Sequence, residues 1–468
     1  MTFVFYDTET TGKNTTFDQI IQFGAIRTDD QLRELERFEI RCRVLPDIAV
    51  SPGAMRVTGV TVEQLTDPSL FSHFEMVRAI REKLEAWSPA VFIGHNSLGF
   101  DEHLLRQAFY KTLHAPYLTN TNGNCRTDCL RMVQAVALCM PNALSIPING
   151  RGRQIFKLDQ LAPANGFAHE HAHDALGDVE ATIYLCSLIA DRAPLLWENF
   201  KRFAQKQAVM DYVLGEEVFA LTDFYYARPY SWMVTAIGPN PENRSEVLVF
   251  DLSRDPQDLM RLTDDELAST LQDRPRAVRG VRTNAAPIIH AYDEAPDRLR
   301  EAAPHLTTLR GRAAAIRADS GFRERLTEAY LAGREEYEEP EYVEEQIYSG
   351  FIDNRDQALL DRFQAAEWTE RLSVLAKISD DRLRVLGDRL VYFEAPHLMS
   401  DSARRDHEVA IARRLTSEED AVPWLTLSAA ITEATDLLLN ASGEETSLLR
   451  AHLDRLQKQA DDASALLA

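Results

Sequence analysis

The segment Phe3-Val4-Phe5-Tyr6-Asp7-Thr8-Glu9-Thr10-Thr11-Gly12 constrains the fold of this chain more than any other stretch. An apolar run of this kind reads as a buried strand, and on a strand the i, i+2 spacing turns Asp7 and Glu9 toward one face. Two carboxylates held side by side repel each other unless a cation neutralises them. A divalent metal is the natural neutraliser, because Mg2+ and Mn2+ take carboxylate oxygens together with the phosphate oxygens of a substrate. The plainer reading is a strand end followed by a polar turn. Taken alone, D-x-E is common, so the rest of the chain has to decide.

At 468 residues the chain is too long for one ordinary hydrophobic core, and two or three domains are expected. No apolar run approaches the roughly 18 to 20 residues of a membrane helix, and the N-terminus lacks the order of a secretory signal, so a cytoplasmic location is expected. Five cysteines, odd in number and few for the length, fit a reducing compartment rather than a disulfide framework. Cys125 and Cys129 have no second pair to complete a zinc site, and helical packing accounts for them. The net charge of −22 argues on its face against a nucleic-acid partner. A groove needs only local positive potential, however, and bound metal ions add to it. The densest acidic run, from Arg334 to Glu345, lies far from the first strand and reads as a solvated linker.

After the first strand, Gln19 to Thr28 and Phe38 to Val44 have strand patterning with Asp29-Asp30 as a turn signal, so an antiparallel meander is expected. Ser51 to Thr61 reads as a loop with two glycines, and Thr61 as the cap of a helix with Glu63 and Gln64 in its first turn. Phe74 to Trp87 has helical periodicity, Ala90 to Ile93 is a short buried strand, and a helix begins near Asp101. Strands alternating with helices after a meander predict a mixed sheet with helices on its faces.

Asp101 has two readings. It caps the helix Glu102 to Leu113, or it stands at the C-terminal end of a strand, where open α/β sheets place their sites. Asp128 presents the same choice before the helix Cys129 to Met140. Gly150 to Lys157 is locally basic and aromatic, suited either to phosphate and bases or to solvent. Leu158 to Ala164 is a short helix stopped by Asn165-Gly166. His169, His171 and His173 alternate before the helix Val179 to Ala190, a pattern that suggests zinc or copper, although the hard oxygen donors elsewhere prefer Mg2+. His173 and Asp178 can project into one cleft, one as a general base and the other as a metal ligand.

The order D-x-E on a first strand, an aspartate opening a later helix, then H-x4-D at a last helix resembles the histidine branch of the DEDD superfamily of exonucleases. That resemblance implies a ribonuclease H-like α/β fold with a mixed sheet. It further implies that Asp7, Glu9 and Asp178 ligate two metal ions, that Asp101 acts through water on the second metal's shell, and that His173 is the base. All five are thus candidate catalytic residues, and Glu9 is also a candidate substrate contact. Independently of the resemblance, phosphodiester hydrolysis needs a polarised water, charge neutralisation at phosphorus and a stabilised leaving oxygen. Two metal ions roughly 3.5 to 4 Å apart and a histidine supply them.

Further segments extend the resemblance to the bacterial exodeoxyribonuclease I family. They are Pro52-Gly53-Ala54 with Val57 to Thr61, Phe100-Asp101-Glu102, Arg126-Thr127-Asp128, Phe156-Lys157-Leu158, His173-Asp174-Ala175, Pro241 to Arg244, and Gln346 to Phe351. The family implies 3′-to-5′ degradation of single-stranded DNA to mononucleotides in DNA repair and recombination. It implies an exonuclease domain at 1–193, an SH3-like β-rich domain at 194–340 and an all-helical C-terminal domain at 341–468. Val218 to Leu252 is aromatic and β-branched as that requires, and the chain after Gln357 reads as helices. There Leu372, Leu375 and Ile378, then Leu383, Leu386 and Leu390 past a break at Ser379-Asp380, recur as packed core, as do the leucines from Leu437 to Leu456. By the same resemblance Lys157 and Arg106 meet the strand's phosphates and Tyr117 stacks on a base. The C-terminal tail of single-stranded DNA-binding protein is an implied partner, and a monomer is implied. The alternatives are a DEDD exoribonuclease or proofreading activity, and a nucleic-acid-binding scaffold with a vestigial site.

Overall fold

The computed structural model describes residues 1–168, 173–334, 339–418 and 421–468. Its first sheet contains β1 (Phe3–Thr10), β2 (Ile20–Thr28), β3 (Glu34–Arg41), β4 (Val91–Gly94) and β5 (Cys125–Asp128) in the order β3-β2-β1-β4-β5. β1, β2 and β3 form the expected antiparallel meander, whereas β1–β4 and β4–β5 pair in parallel. The sheet is therefore mixed, with β1 at its centre. Residue alternation along β1 divides two cores: Phe3 and Phe5 face one, Val4 and Tyr6 the other.

Eight helices accompany or follow this sheet: α1 (Pro52–Thr58), α2 (Val62–Thr66), α3 (His73–Ala86), α4 (Asp101–Lys111), α5 (Cys129–Cys139), α6 (Leu158–Ala164), α7 (Ala175–Arg192) and α8 (Pro194–Phe203). Side chains of α5, α7 and α8 fill the core beneath Phe3 and Phe5, while α3 and α4 fill the one beneath Val4 and Tyr6. The segment expected as a glycine loop contains α1. Ser51 caps it, Pro52 opens it, and Gly59 ends it in the left-handed region at φ 67°. Start and stop signals stand so close together that no helical period is visible between them. Thr61 and Gln64 form the expected cap of α2 as a reciprocal capping box. α7 starts at Ala175, four residues before the expected start, with Asp174 as its cap. Cys125 lies on a strand and Cys129 opens a helix, so the pair is not a product of helical packing, and all five cysteines are free thiols.

A second sheet is antiparallel throughout, in the order β10-β6-β7-β8-β9: β6 (Phe219–Tyr225), β7 (Arg228–Pro239), β8 (Glu246–Asp251), β9 (Val278–Arg282) and β10 (Ile288–Ala291). Sequence patterning reaches only its first three strands. The helices Asp264–Gln272, Leu306–Ala318 and Ser320–Ala332 cover one face through Leu267, Leu309, Ile316 and Leu326. This region is thus β-rich with a helical layer. The sheet docks on the first domain where Phe224 meets Phe156 edge-on at 5.8 Å and Arg126 donates to the Asn284 carbonyl at 3.3 Å.

Beyond residue 353 the described chain is helical, as expected. Leu375, Ile378, Leu383, Leu386 and Leu390 pack with Phe74, Tyr110 and Leu113 of the first domain, which seats these helices on α3 and α4. Leu372 is the exception, at 37% exposed, because the helix Trp368–Leu375 presents it to solvent. Farther on, Leu449 and Leu456 are buried, but Leu439 sits exposed at a helix end. The last helices reach back to the first domain, where Glu433 accepts from Ser51 Oγ and the Gly53 amide, and His452 bonds the Val50 carbonyl at 2.9 Å. The acidic run predicted as a linker lies partly at 335–338, outside the described residues. Of the rest, Glu344 is buried between Arg389 and Arg414, at 2.8 and 3.1 Å. No described helix is long and apolar enough to cross a membrane.

Candidate active site

The site begins with the alternation of β1. Asp7 and Glu9 continue the face of Phe3 and Phe5, the face against which α7 packs through Val179, Ala181 and Leu185. Asp178 lies in the first turn of α7, so docking that helix brings its carboxylate to the strand. Ligand oxygens of Asp7, Glu9 and Asp178 all lie within 4.8 Å of one another.

One residue that sequence reasoning missed makes this approach possible. Gly24 sits opposite Asp7 on β2. A Cβ there would stand 2.8 Å from the Ala175 carbonyl carbon and the Leu176 nitrogen, closer than real Cβ contacts come. Only glycine lets the start of α7 descend onto the sheet. The one available signal was a lone glycine inside a strand pattern, which marks close approach of another backbone.

Asp101 arrives from the opposite face. It is not the cap of α4, which is Phe100, but the first residue of that helix. Its carboxylate reaches across to β1, where Oδ1 accepts from Thr8 Oγ1 at 2.6 Å and the Thr8 amide at 3.1 Å. Asp128 does act as a cap: it accepts from Leu130 N and holds the loop before α4 through Asn96 N and Leu98 N. Next to Asp101, the buried Glu102 accepts from Tyr6, Arg106, Thr119 and Arg126. Burial opposes its charge, but Arg126 and Arg106 outweigh that and hold its carboxyl below the usual range.

The electrostatics mark the cluster as short of positive charge. Burial, then Asp101, Asp178 and Glu9, push the Asp7 carboxyl well above its ordinary value. Burial, then Asp178 and Asp101, push Glu9 up to about 9, against the opposing pull of Arg41. Burial likewise raises Asp101 to about 6 despite the Thr8 hydrogen bond. All the donors are carboxylate oxygens, close together and mutually repelling, which fits a hard divalent cation.

His173 has a left-handed backbone at φ 65°, and its amide donates to Asp178 Oδ1 at 3.3 Å, so the loop and the helix turn are tied together. Asp174 follows as the cap of α7 and is held by Gln22 and Arg41. His169 and His171, the other members of the expected histidine set, lie outside the described residues. Arg106 and Tyr117 meet, the guanidinium 5.2 Å from the ring centroid, but Arg106 is also tied to Glu102 and largely buried. Lys157 is exposed at the start of α6, beside a buried Phe156 whose carbonyl bonds His95 at 2.8 Å.

The central strand of the mixed sheet and the start of α7 gather three carboxylates that could hold a metal ion, and residues 4–186 match the family model described as Exonuclease. That segment of the chain is similar to the family's exonuclease domain. Over its length it is similar to exodeoxyribonuclease I of Escherichia coli K12, at 29% identity over 77% of this chain and 78% of the relative. It is also similar to exodeoxyribonuclease I of Haemophilus influenzae, at 28% identity over 86% of this chain and 88% of the relative. The fold matches that of E. coli exonuclease I in complex with a dA16 oligonucleotide, with a TM-score of 0.85, 23% identity and coverage of 98% of this chain and 99% of that one.

Proposed function

We propose that this protein is a metal-dependent exonuclease that degrades single-stranded DNA from the 3′ end to 5′-mononucleotides. The observation that carries the reading is the gathering of Asp7, Glu9 and Asp178 within 4.8 Å, with Asp101 held beside them by Thr8. The two relatives named exodeoxyribonuclease I support the substrate class.

Asp7, Glu9 and Asp178 would hold the metal, with Mg2+ the expected ion and Mn2+ a substitute. When bound, the ions supply charge neutralisation at phosphorus and a more acidic water. The chain's own residues do the rest. Asp101, fixed through Thr8, orients water at the edge of the cluster. His173, on the loop tied to Asp178, takes the proton of the attacking water. Glu9 contacts the terminal nucleotide, Arg106 and Lys157 hold phosphates, and Tyr117 stacks on a base. Lysine gives Lys157 charge without a bidentate grip. We divide the chain at 193 and 340, with α8 bridging the first boundary through Leu196, Trp197 and Phe200, which bury in the first core. By resemblance to the family, the protein is a monomer in the cytoplasm, docks the acidic tail of single-stranded DNA-binding protein and acts in DNA repair.

The test is digestion of 5′-labelled single-stranded DNA and the matching RNA, with Mg2+ or chelator, by the wild type and Asp7→Ala. Stepwise loss from the 3′ end of DNA alone, abolished by chelator and by the substitution, is expected. Retained DNA binding without any cleavage would overturn the enzyme reading.

A further inference from the structure

The start of α7 is fastened to the first sheet by a polar group that lies outside both the core and the carboxylate cluster. Two rows of residues cross the meander. Asp7 of β1 lies opposite Gly24 of β2, and Gly24 opposite Glu39 of β3, while Glu9, Gln22 and Arg41 form the next row. Residues directly opposite one another on neighbouring strands share a face, so Gln22, Glu39 and Arg41 stand on the face that carries Asp7 and Glu9. Gly24 leaves the gap into which α7 descends. Beside that gap the three polar side chains close on Asp174, the cap of the helix.

Asp174 Oδ2 accepts from Gln22 Nε2 at 2.9 Å and from Arg41 Nη2 at 2.8 Å, while its Oδ1 accepts from the Gly177 amide at 3.4 Å. Glu39 braces both donors, because its Oε1 accepts from the same Gln22 nitrogen at 2.9 Å and from Arg41 Nε at 3.1 Å. The Gln22 amide nitrogen thus spends both of its hydrogens, and Arg41 bonds two carboxylates at once. Stability alone gives little reason for this arrangement. The side chains of Arg41, Glu39 and Asp174 are 34%, 37% and 36% exposed, and ion pairs as open as that contribute little. A plain helix cap needs only one oxygen on a backbone amide. What the group does fix is the chain at residue 173. His173 keeps a left-handed backbone at φ 65°, which costs free energy for a residue with a β-carbon and persists only where neighbours hold it. Its own amide is tied to Asp178, and the next residue is tied to the sheet.

We propose that Gln22, Glu39 and Arg41 form a clamp on Asp174 that positions His173 for proton transfer at the carboxylate cluster. The three are positioning residues, acting on the reaction through His173 alone. The proposal rests on the reading of His173 as the base given above. The competing account is a direct one, since the Arg41 charge also pulls the Glu9 carboxyl downward and could act on the metal ligands themselves.

The experiment measures kcat and KM of the full chain on 5′-labelled single-stranded DNA in saturating Mg2+, as a double-mutant cycle with His173→Ala. Arg41→Gln opens the clamp from the sheet side. Asp174→Ser opens it from the helix side, because serine still caps the helix but is too short to reach Gln22 and Arg41. Each is expected to lower kcat on the order of tenfold with KM nearly unchanged, since misplacing a catalytic group acts on the chemical step. In the His173→Ala background the same two changes are expected to cost nothing further. Arg37→Gln is the matched control: it breaks another ion pair between β3 and α7, to Glu180 at 3.1 Å, without touching the clamp, and is expected to keep the wild-type kcat. An undiminished kcat in both clamp variants would overturn the proposal. So would an equal loss with and without His173, which would make Arg41 an electrostatic partner of the metal ligands, or an equal loss in Arg37→Gln, which would reduce the clamp to a fastening of the helix. A His173→Ala protein as fast as wild type would instead bring down the reading of His173 as the base.

Discussion

Replacing Asp7 by Asn is expected to make the metal-free protein more stable while abolishing its activity. Oxygens of Asp7, Glu9 and Asp178 lie within 4.8 Å of one another. At that separation and an effective dielectric of about 20, each pair of full charges repels by about 3.5 kcal/mol. Asp7→Asn removes two of the three pairs and keeps the side chain's shape. Proton uptake by the cluster already relieves part of this repulsion, so the net gain in chelator is about 2–4 kcal/mol. For a domain of this size that is a rise of about 5–10 °C in Tm. Metal reverses the order. An ion at a hundred times its Kd stabilises the wild type by about 2.7 kcal/mol, and a site lacking one of its ligands gains far less. The assay is thermal melting of both proteins in chelator and in Mg2+ or Mn2+, beside nuclease activity on single-stranded DNA. A variant no more stable than wild type in chelator, or an equal metal-induced rise in both, would refute the electrostatic account of the site.

Three further outcomes follow from the same structure. Gly24→Ala is expected to push the start of α7 off the sheet, costing roughly 1–3 kcal/mol in a melting experiment and lowering kcat on the order of 10²-fold by displacing Asp178. Glu102→Gln leaves the buried Arg126 without its ion pair at 2.6 Å, and urea unfolding is expected to show a loss of about 3–5 kcal/mol. Burial also pushes His73 and His114 down to about 3, and His290 and His452 to about 4. The unfolded chain protonates these rings near pH 6.5 while the folded one resists. Stability is therefore intact above that pH and falls progressively toward pH 4 for His290 and His452 and toward pH 3 for His73 and His114, by about 2 kcal/mol per ring at pH 5. Melting temperature against pH checks this, and His452→Gln is expected to flatten its share of the slope.

The sequence was most informative where local chemistry decides local structure. The meander, the capping box at Thr61 and Gln64, the cap at Asp128 and the short helix at Leu158 each depend on residues within a few positions of one another. Where signals crowd together or act across the fold, they could not be read. α1 hides between two adjacent punctuation signals, and β9 and β10 are short strands that exist only because β8 and β6 pair with them. Leu372 shares the spacing of the buried leucines yet faces solvent, because period alone does not say which side of a helix finds a partner.

The same division runs through the site. The residue types, hard oxygen donors at i, i+2 on a strand with a histidine before a late helix and an aspartate in its first turn, are a property of the chain itself, since the chemistry of metal and phosphate demands them wherever they sit. Their convergence belongs to the tertiary structure. Asp7 and Asp178 are far apart in sequence and meet because Gly24 leaves room for a helix backbone on the sheet. Asp101, the first residue of α4, reaches Thr8 because β1 and β4 are neighbours in parallel. A local pattern can specify which groups a site contains, but only packing brings distant groups within reach of one ion. Interaction between charges depends on their separation in space, which sequence separation does not set.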